Sequence, residues 1–415
     1  MNAEPSPHHP TDVRMRGFAS RATVDGAWRW IDGQTACIPS EMVSLGDLAD
    51  RVLAQDIVSE VDVPAFDRAM MDGFAVQARD TSGASAYNRL RLTIVGEVLA
   101  GRQFLSRIRN GQTVRIMTGA PLPEGADAVI PVEMAQSEGQ AVSIVAEVTP
   151  GKHVGRIGED IACGSVVLRA GRRLRPQDVG VLASIGIAEA TVVGKPCVRI
   201  IVTGNELVPA GSRAIGNQVV DSNGPMLAAL ILRDGGVPIY PGIVRDDPAS
   251  ILTAMRDRAD VVLVSGGSSV GQEDHAPALL AEHGHLAVHG VAMRPSSPTG
   301  MGILDQRLVF LLPGNPVSCL CAYDFFAGRA LRALAGLPGP WPYRAVRLPL
   351  ARKLVSVVGR LDYARVKITD DRVEPLAISG ASMLSSTTRA DGFVVIPRDS
   401  EGYPPGAEVQ VWLYD

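Results

Sequence analysis

Three runs of uninterrupted apolar, largely β-branched residues constrain this fold most: CVRIIV (197–202), VVLVS (261–265) and LVFLL (308–312). A strand with one wet face alternates apolar and polar residues, so strands without alternation are expected to be buried on both faces. Helical patterns lie between and beyond them. PMLAALILRDGG (225–236) has Asn223 as a candidate cap, and PASILTAMRDRA (248–259) follows two aspartates. The third run leads through Pro313-Gly314-Asn315-Pro316 into VSCLCAYDFFAGRALRALAG, with Pro316 suited to a first helical turn. Buried strands alternating with amphipathic helices predict a parallel, doubly wound α/β domain over 197–338. Ligands of such sheets bind at the carboxyl ends of the strands.

The remainder reads differently, so the fold class is α/β plus β in a multidomain chain. With 415 residues, about two to four domains are expected. Short β-branched runs such as TVRIM (113–117), DAVIPVE (127–133) and AVSIVAEV (141–148), set among Gly and Pro, predict a β domain over 64–155. A mixed linker domain takes 21–63 and 156–196, with a short helix in RPQDVGVLASIG (175–186). After GLPGPWP, the alternating segments RAVRLPL, GFVVIP and AEVQVWLY predict a small C-terminal β barrel or sandwich over 339–415. The polar, Pro-rich residues 1–20 read as a disordered tail, without the apolar stretch of a signal peptide. No run approaches the ~18 apolar residues of a membrane helix. A net charge of −4 supplies no general attraction to nucleic acid, so any anion site must be local. The five scattered cysteines suit a reducing compartment, hence a cytoplasmic enzyme. Cys319 and Cys321 read as buried small hydrophobes. His283 and His285 read as a solvated turn.

Each α/β strand run ends in a Gly-containing loop: Thr203-Gly204-Asn205-Glu206, then Ser265-Gly266-Gly267-Ser268-Ser269-Val270-Gly271, then Pro313-Gly314-Asn315-Pro316. Glycines allow close backbone approach to a ligand, helix N-termini behind them favour anions, and the serine hydroxyls add donors. Glu206, Asp221, Asp246, Asp247 and Asp274 punctuate the same loops. Carboxylates beside an anion cradle repel one another unless a cation joins them, and Mg²⁺ takes one or two carboxylates plus phosphate oxygens. Asp246 and Asp247 are equally readable as caps of the following helix. A second acidic segment, PAFDRAMMDGFAV (64–76), precedes Met117-Thr118-Gly119 and Gly158-Glu159-Asp160, whose spacing alone assigns no function.

PAFDRAMMDGFAV, RIMTGAPLPEGADAVIPVE, GEDI, VTGNELV, DSN, VSGGSSVGQED, LLPGNPVS, GRLDYAR and PPGAEVQV, in this order, resemble the molybdopterin molybdotransferase family, which includes bacterial MoeA and the gephyrin E domain. The resemblance runs from about Glu41 to the C-terminus. It implies a homodimer of four-domain protomers whose cleft lies between protomers. The implied activity is insertion of molybdate into adenylylated molybdopterin, with Mg²⁺-dependent release of AMP. By motif, Asp72, Thr118, Asp160, Glu206, Asp246 and Asp274 take the catalytic positions, with Glu206, Asp246 and Asp274 as metal ligands. Thr203, Gly204, Ser265, Gly266, Gly267, Ser268, Pro313, Gly314 and Asn315 take the substrate cradle. A molybdopterin adenylyltransferase and apo-molybdoenzymes are the implied partners. The family's anion motif Lys-Pro-Gly-Lys-Pro is here Arg294-Pro295-Ser296-Ser297-Pro298, and a Gly-Ser near the C-terminus is Gly380-Ala381. The anion pocket is therefore expected to use Arg294, Ser296, Ser297 and Arg360, with Arg365 as a further cation. A specialised paralogue for another oxyanion, or for adenylyl hydrolysis only, and a non-catalytic carrier are the alternatives. A nucleotide-binding regulator is disfavoured by the lack of a GxxxxGK[ST] loop.

Overall fold

The computed structural model describes residues 21–267, 274–377 and 379–414. The proposed tail, Ser268 and Ser269 lie outside them. The chain divides into two compact bodies, Met42–Val192 and a larger one joining Met1–Glu41 to Val193–Asp415.

Helix α1 (Val24–Gln34) packs with the larger body. Thr23 caps it, its hydroxyl accepting the Gly26 N–H at 3.0 Å. The Trp28 indole N–H donates to the Phe325 carbonyl at 2.8 Å, and Arg329 pairs with Asp32 through two 2.7 Å hydrogen bonds. A buried apolar stripe of Val24, Ala27 and Ile31 draws the helix onto that body's core.

In the smaller body a six-stranded sheet contains β1 (Gly73–Val76), β2 (Leu90–Val98), β3 (Gln112–Ile116), β4 (Ala128–Pro131), β5 (Ala135–Glu138) and β6 (Ala141–Ile144), in the order β4-β1-β3-β2-β6-β5. Helix α2 (Pro176–Ser184) sits beside it on a separate core of Leu48, Leu53, Leu168, Leu174, Leu182 and Val192. That core brings together residues that precede and follow the six-stranded sheet in sequence.

The larger body is built on β7 (Cys197–Thr203), α3 (Asn223–Arg233), β8 (Val237–Ile239), β9 (Ile243–Val244), α4 (Pro248–Arg256), β10 (Val261–Ser265), α5 (His275–His283), β11 (His285–His289), β12 (Met293–Arg294), β13 (Gly300–Leu304) and β14 (Arg307–Leu312). The sheet order is β8-β7-β10-β14-β13-β11, with β9 also on β7. Strands β8, β7, β10 and β14 are parallel, whereas β13 and β11 run antiparallel. The sheet is thus mixed, not wholly parallel. The three apolar runs are its central strands, and every residue of β10 is buried. The long C-terminal helix is interrupted: α6 (Pro316–Ala322), a π turn at Tyr323–Ala327, then α7 (Gly328–Leu334). Cys319 and Cys321 are fully buried there, and burial pushes the Cys319 thiol up to about 12, as their structural reading requires.

The C-terminal sheet contains β15 (Ala345–Pro349), β16 (Leu361–Thr369), β17 (Arg372–Ala377), β18 (Gly392–Ile396) and β19 (Glu408–Leu413). They pair as β17-β16-β18-β19-β15, and a bridge from Leu350 to Val373 returns the last strand to the first, making a small barrel. Strand β12, from the segment between β11 and β13, adds to this sheet beside β16.

Asp234 and Asp324, both fully buried, bind this body together. Arg233 donates to both at 2.9 Å, Arg332 to Asp234 at 3.0 Å, and the Tyr343 hydroxyl to Asp324 at 2.9 Å. Removing one partner strands a buried charge, so Asp234→Ala should lower stability to denaturant by about 3–5 kcal/mol. Glu374→Ala, which breaks an exposed pair with Arg352, should cost under about 1 kcal/mol. Equal costs in urea unfolding would refute the role given to this network.

Candidate functional site

The carboxyl ends of β7, β10 and β14 meet at very short range. Gly266 has φ +96°, and a Cβ there would lie 2.2 Å from the Thr203 carbonyl oxygen. No residue with a side chain fits where β10 crosses the end of β7. A Cβ on Gly314 would lie 3.6 Å from the Gly266 Cα. Asn223 fastens the group, its amide donating to Ser265 Oγ at 2.9 Å and to the Gly314 carbonyl at 2.7 Å. It is the first residue of α3, with Ser222 in the cap position assigned to Asn223 from sequence. Its bracing role was missed because no local pattern reveals partners 42 and 91 residues away. Ser265, expected as a hydroxyl donor, is buried beside the cavity, and its hydroxyl accepts from Asn223.

These ends floor a cavity of about 880 Å³ lined by Thr203, Gly204, Glu206, Asp221, Asp246, Gly267, Asp274, Pro313, Gly314 and Asn315 among others. Four carboxylates line it, and among the described residues no Lys, Arg or His does. The paired aspartates divide their work. Asp247 caps α4, accepting the Ser250 N–H at 2.9 Å, while Asp246 accepts the Thr203 hydroxyl at 2.8 Å and lines the cavity. The Glu206 carboxylate lies over Gly204, 2.9 Å from where a Cβ would stand. Asp221 is buried and accepts the Gly224 N–H and the Tyr240 hydroxyl, so its part is to hold the loop.

A second cavity, of about 720 Å³, shares Pro298, Pro313 and Asn315 with the first. Arg21, Arg294, Arg360 and Arg398 line it, and among the described residues no Asp or Glu does. Ser296 and Ser297 also line it, but they are not equivalent. The Ser296 hydroxyl is buried and donates to the Ser318 carbonyl at 2.6 Å, so it is not the anion donor expected from sequence. Ser296 has φ +85°, a left-handed conformation that favours glycine, the residue in the family motif. Arg365 is also withdrawn: it is buried and donates to the carbonyls of Ala377, Ser379 and Gly380.

In the smaller body the Asp72 carboxylate accepts the Thr118 N–H at 2.6 Å and the Thr118 hydroxyl at 2.7 Å. The N–H first, and the hydroxyl after it, hold this carboxyl below the usual carboxylate range, so it stays ionised at neutral pH. The exposed Asp160 follows Gly158, on a loop whose Gly158 and Asp160 N–H groups bond the Pro64 and Val63 carbonyls at 2.9 and 3.0 Å.

Residues 22–186 match the family described as MoeA N-terminal region (domain I and II), 199–333 the probable molybdopterin binding domain, and 347–414 the MoeA C-terminal region (domain IV). The chain is 36% identical over 392 residues to a Mycobacterium tuberculosis protein named molybdopterin molybdenumtransferase 2, covering 91% of this chain and 95% of that one. It is 33% identical to the Bacillus subtilis molybdopterin molybdenumtransferase, over 90% of each. A crystal structure of a MoeA molybdopterin biosynthesis protein from Pyrococcus horikoshii superposes with a TM-score of 0.83 at 34% identity, covering 95% of this chain and 100% of that one. The chain belongs to the MoeA family.

Proposed function

We propose that the chain is a molybdopterin molybdotransferase of molybdenum cofactor biosynthesis, which binds adenylylated molybdopterin, inserts molybdate and releases AMP. The observation that carries this reading is the pair of adjoining cavities of opposite charge, one lined by four carboxylates and the other by four arginines. A reaction that brings a phosphoanhydride together with a dianion needs both. The family relatives named molybdopterin molybdenumtransferase support it.

The donors in the acidic cavity are oxygens, which suit a hard cation. Among the described residues no three or more His, Cys, Asp or Glu side chains converge as a complete metal cage. That fits Mg²⁺, which takes one or two carboxylates and fills its shell with phosphate oxygens and water. One or two of Glu206, Asp246 and Asp274 would hold it, with phosphate oxygens and water completing its shell, and bound there it would supply positive charge for the phosphate oxygens. Thr203 orients Asp246 through its hydroxyl, and the glycine-lined floor lets the pyrophosphate approach the backbone. Orientation and charge account for most of what such a cleavage requires. In the arginine-lined cavity Arg294, Arg360 and the Ser297 hydroxyl face the oxyanion. Homodimerisation, a cytoplasmic location, and an adenylyltransferase and apo-molybdoenzymes as partners belong to the same reading. Among the described residues no helix is long and apolar enough to cross a membrane.

Glu206→Ala and Asp274→Ala should each reduce Mg²⁺-dependent AMP release by about a hundredfold, the scale of losing electrostatic support for a transition state. Their melting temperatures should stay near that of the parent. Full activity of both variants at controlled Mg²⁺ would sink the assignment.

Ser297 stands where the family has a lysine, so one full charge is replaced by a neutral donor. Charge-assisted hydrogen bonds exceed neutral ones by about 1 kcal/mol or more, close to a tenfold difference in affinity. Ser297→Lys should therefore lower the molybdate concentration for half-maximal insertion by about tenfold, leaving the affinity for adenylylated substrate unchanged. A flat molybdate dependence would mean that this cavity does not serve molybdate.

A further inference from the structure

Beneath the arginine-lined cavity lies a carboxylate that does not itself line it. Asp362 is fully buried on β16, directly opposite Arg294 in the parallel pairing of β12 with β16. Its Oδ2 accepts from Arg294 Nη2 and, at 2.7 Å, from the Ser356 hydroxyl. Its Oδ1 faces Arg360 Nε at 3.3 Å. One buried negative charge thus stands under two guanidinium groups whose side chains remain 31% and 36% exposed. The buried Nε atoms of both arginines and Asp362 Oδ1 make no hydrogen bond, so Asp362 holds Arg294 by a hydrogen bond and Arg360 by charge alone. A single carboxylate cannot satisfy two guanidinium groups, so a net positive charge is left facing the cavity.

We infer that Asp362 is a positioning residue for oxyanion capture, fixing the guanidinium groups of Arg294 and Arg360 so that their free N–H edges point at the incoming anion. The inference rests on the reading that this cavity takes molybdate. Arginine side chains have many rotamers, and ordering them on binding weakens affinity. A buried tether imposes that order during folding instead. The tether also gives a physical account of Arg294 where the family motif has lysine. A planar guanidinium can hold Asp362 through one nitrogen and present another, whereas an ammonium is a single point charge. Ser356 fixes the carboxylate in turn.

Charge and positioning predict opposite signs, which makes the idea testable. If Asp362 acted on the anion only through its own charge, removing that charge would tighten molybdate binding. If it positions the arginines, removal loosens binding although the site becomes more positive. The experiment is equilibrium dialysis of molybdate against the purified full chain, with bound molybdenum measured by mass spectrometry. Asp362→Asn is expected to bind molybdate about tenfold more weakly, the scale of losing one well-placed charge-assisted hydrogen bond. Ser356→Ala, which leaves both charges in place, should weaken binding less and keeps the test open if Asp362→Asn folds poorly. Arg294→Lys should weaken binding in the parent and change little in the Asp362→Asn background, whereas independent structural damage would add. Binding by Asp362→Asn or Ser356→Ala that equals or exceeds the parent's overturns the positioning role and leaves the cavity's assignment standing. A parent chain that binds neither molybdate nor tungstate overturns that assignment, and the positioning role with it.

Discussion

The site depends on a contact that admits no Cβ. Where β10 leaves the sheet, Gly266 lies against the Thr203 carbonyl, and Gly314 comes within van der Waals reach of Gly266. Three strand ends are thereby drawn close enough for one amide, that of Asn223, to bond to two of them. Everything else in the acidic cavity is hung from this junction. Asp246 is oriented by Thr203 at the end of β7, and Asn315 follows Gly314 into α6. Buried strands on both faces give the junction stiffness, since neither face has water to relax into.

Electrostatics then divides the region. Carboxylates gather at the ends of the parallel strands, and arginines gather where β12, from the segment between β11 and β13, joins the C-terminal sheet. The acidic cavity calls for a cation and the arginine cavity for an anion, because isolated like charges in a concave site are costly. Pro298, Pro313 and Asn315 form a common wall, so ligands in the two cavities are neighbours. That adjacency is what a transfer between a bound phosphoanhydride and a small oxyanion requires.

Much of this was legible from residues alone, for identifiable reasons. Continuous apolar runs marked β7, β10 and β14 because burial on both faces leaves no alternation to read. Glycine-containing loops marked the strand ends, since close approach excludes Cβ. The side chains' actual partners were not legible. Ser296 and Ser297 are adjacent and chemically identical and both line the cavity, yet the Ser296 hydroxyl donates to the Ser318 carbonyl. Arg360 and Arg365 lie on one short motif, but only the second is buried, on β16, where it donates to the Ala377, Ser379 and Gly380 carbonyls. Asp246 and Asp247 had two equally open readings; Asp247 caps α4, whereas Asp246 accepts the Thr203 hydroxyl and lines the cavity. Asn223 and Asp362 act on residues remote in sequence, where periodicity carries no information. The attachments of Trp28 and Asp32 on helix α1 lie nearly 300 residues away, where no local pattern reports them.

The central claim is that one chain couples cleavage of the adenylylated pterin to the arrival of molybdate next door. It is tested most directly by giving purified protein adenylylated molybdopterin, Mg²⁺ and molybdate, then measuring released AMP and pterin-bound molybdenum in the same sample. The account predicts that the two appear together in equal amounts and that withholding molybdate suppresses both. AMP release that is indifferent to molybdate, with no molybdenum in the pterin, would contradict it.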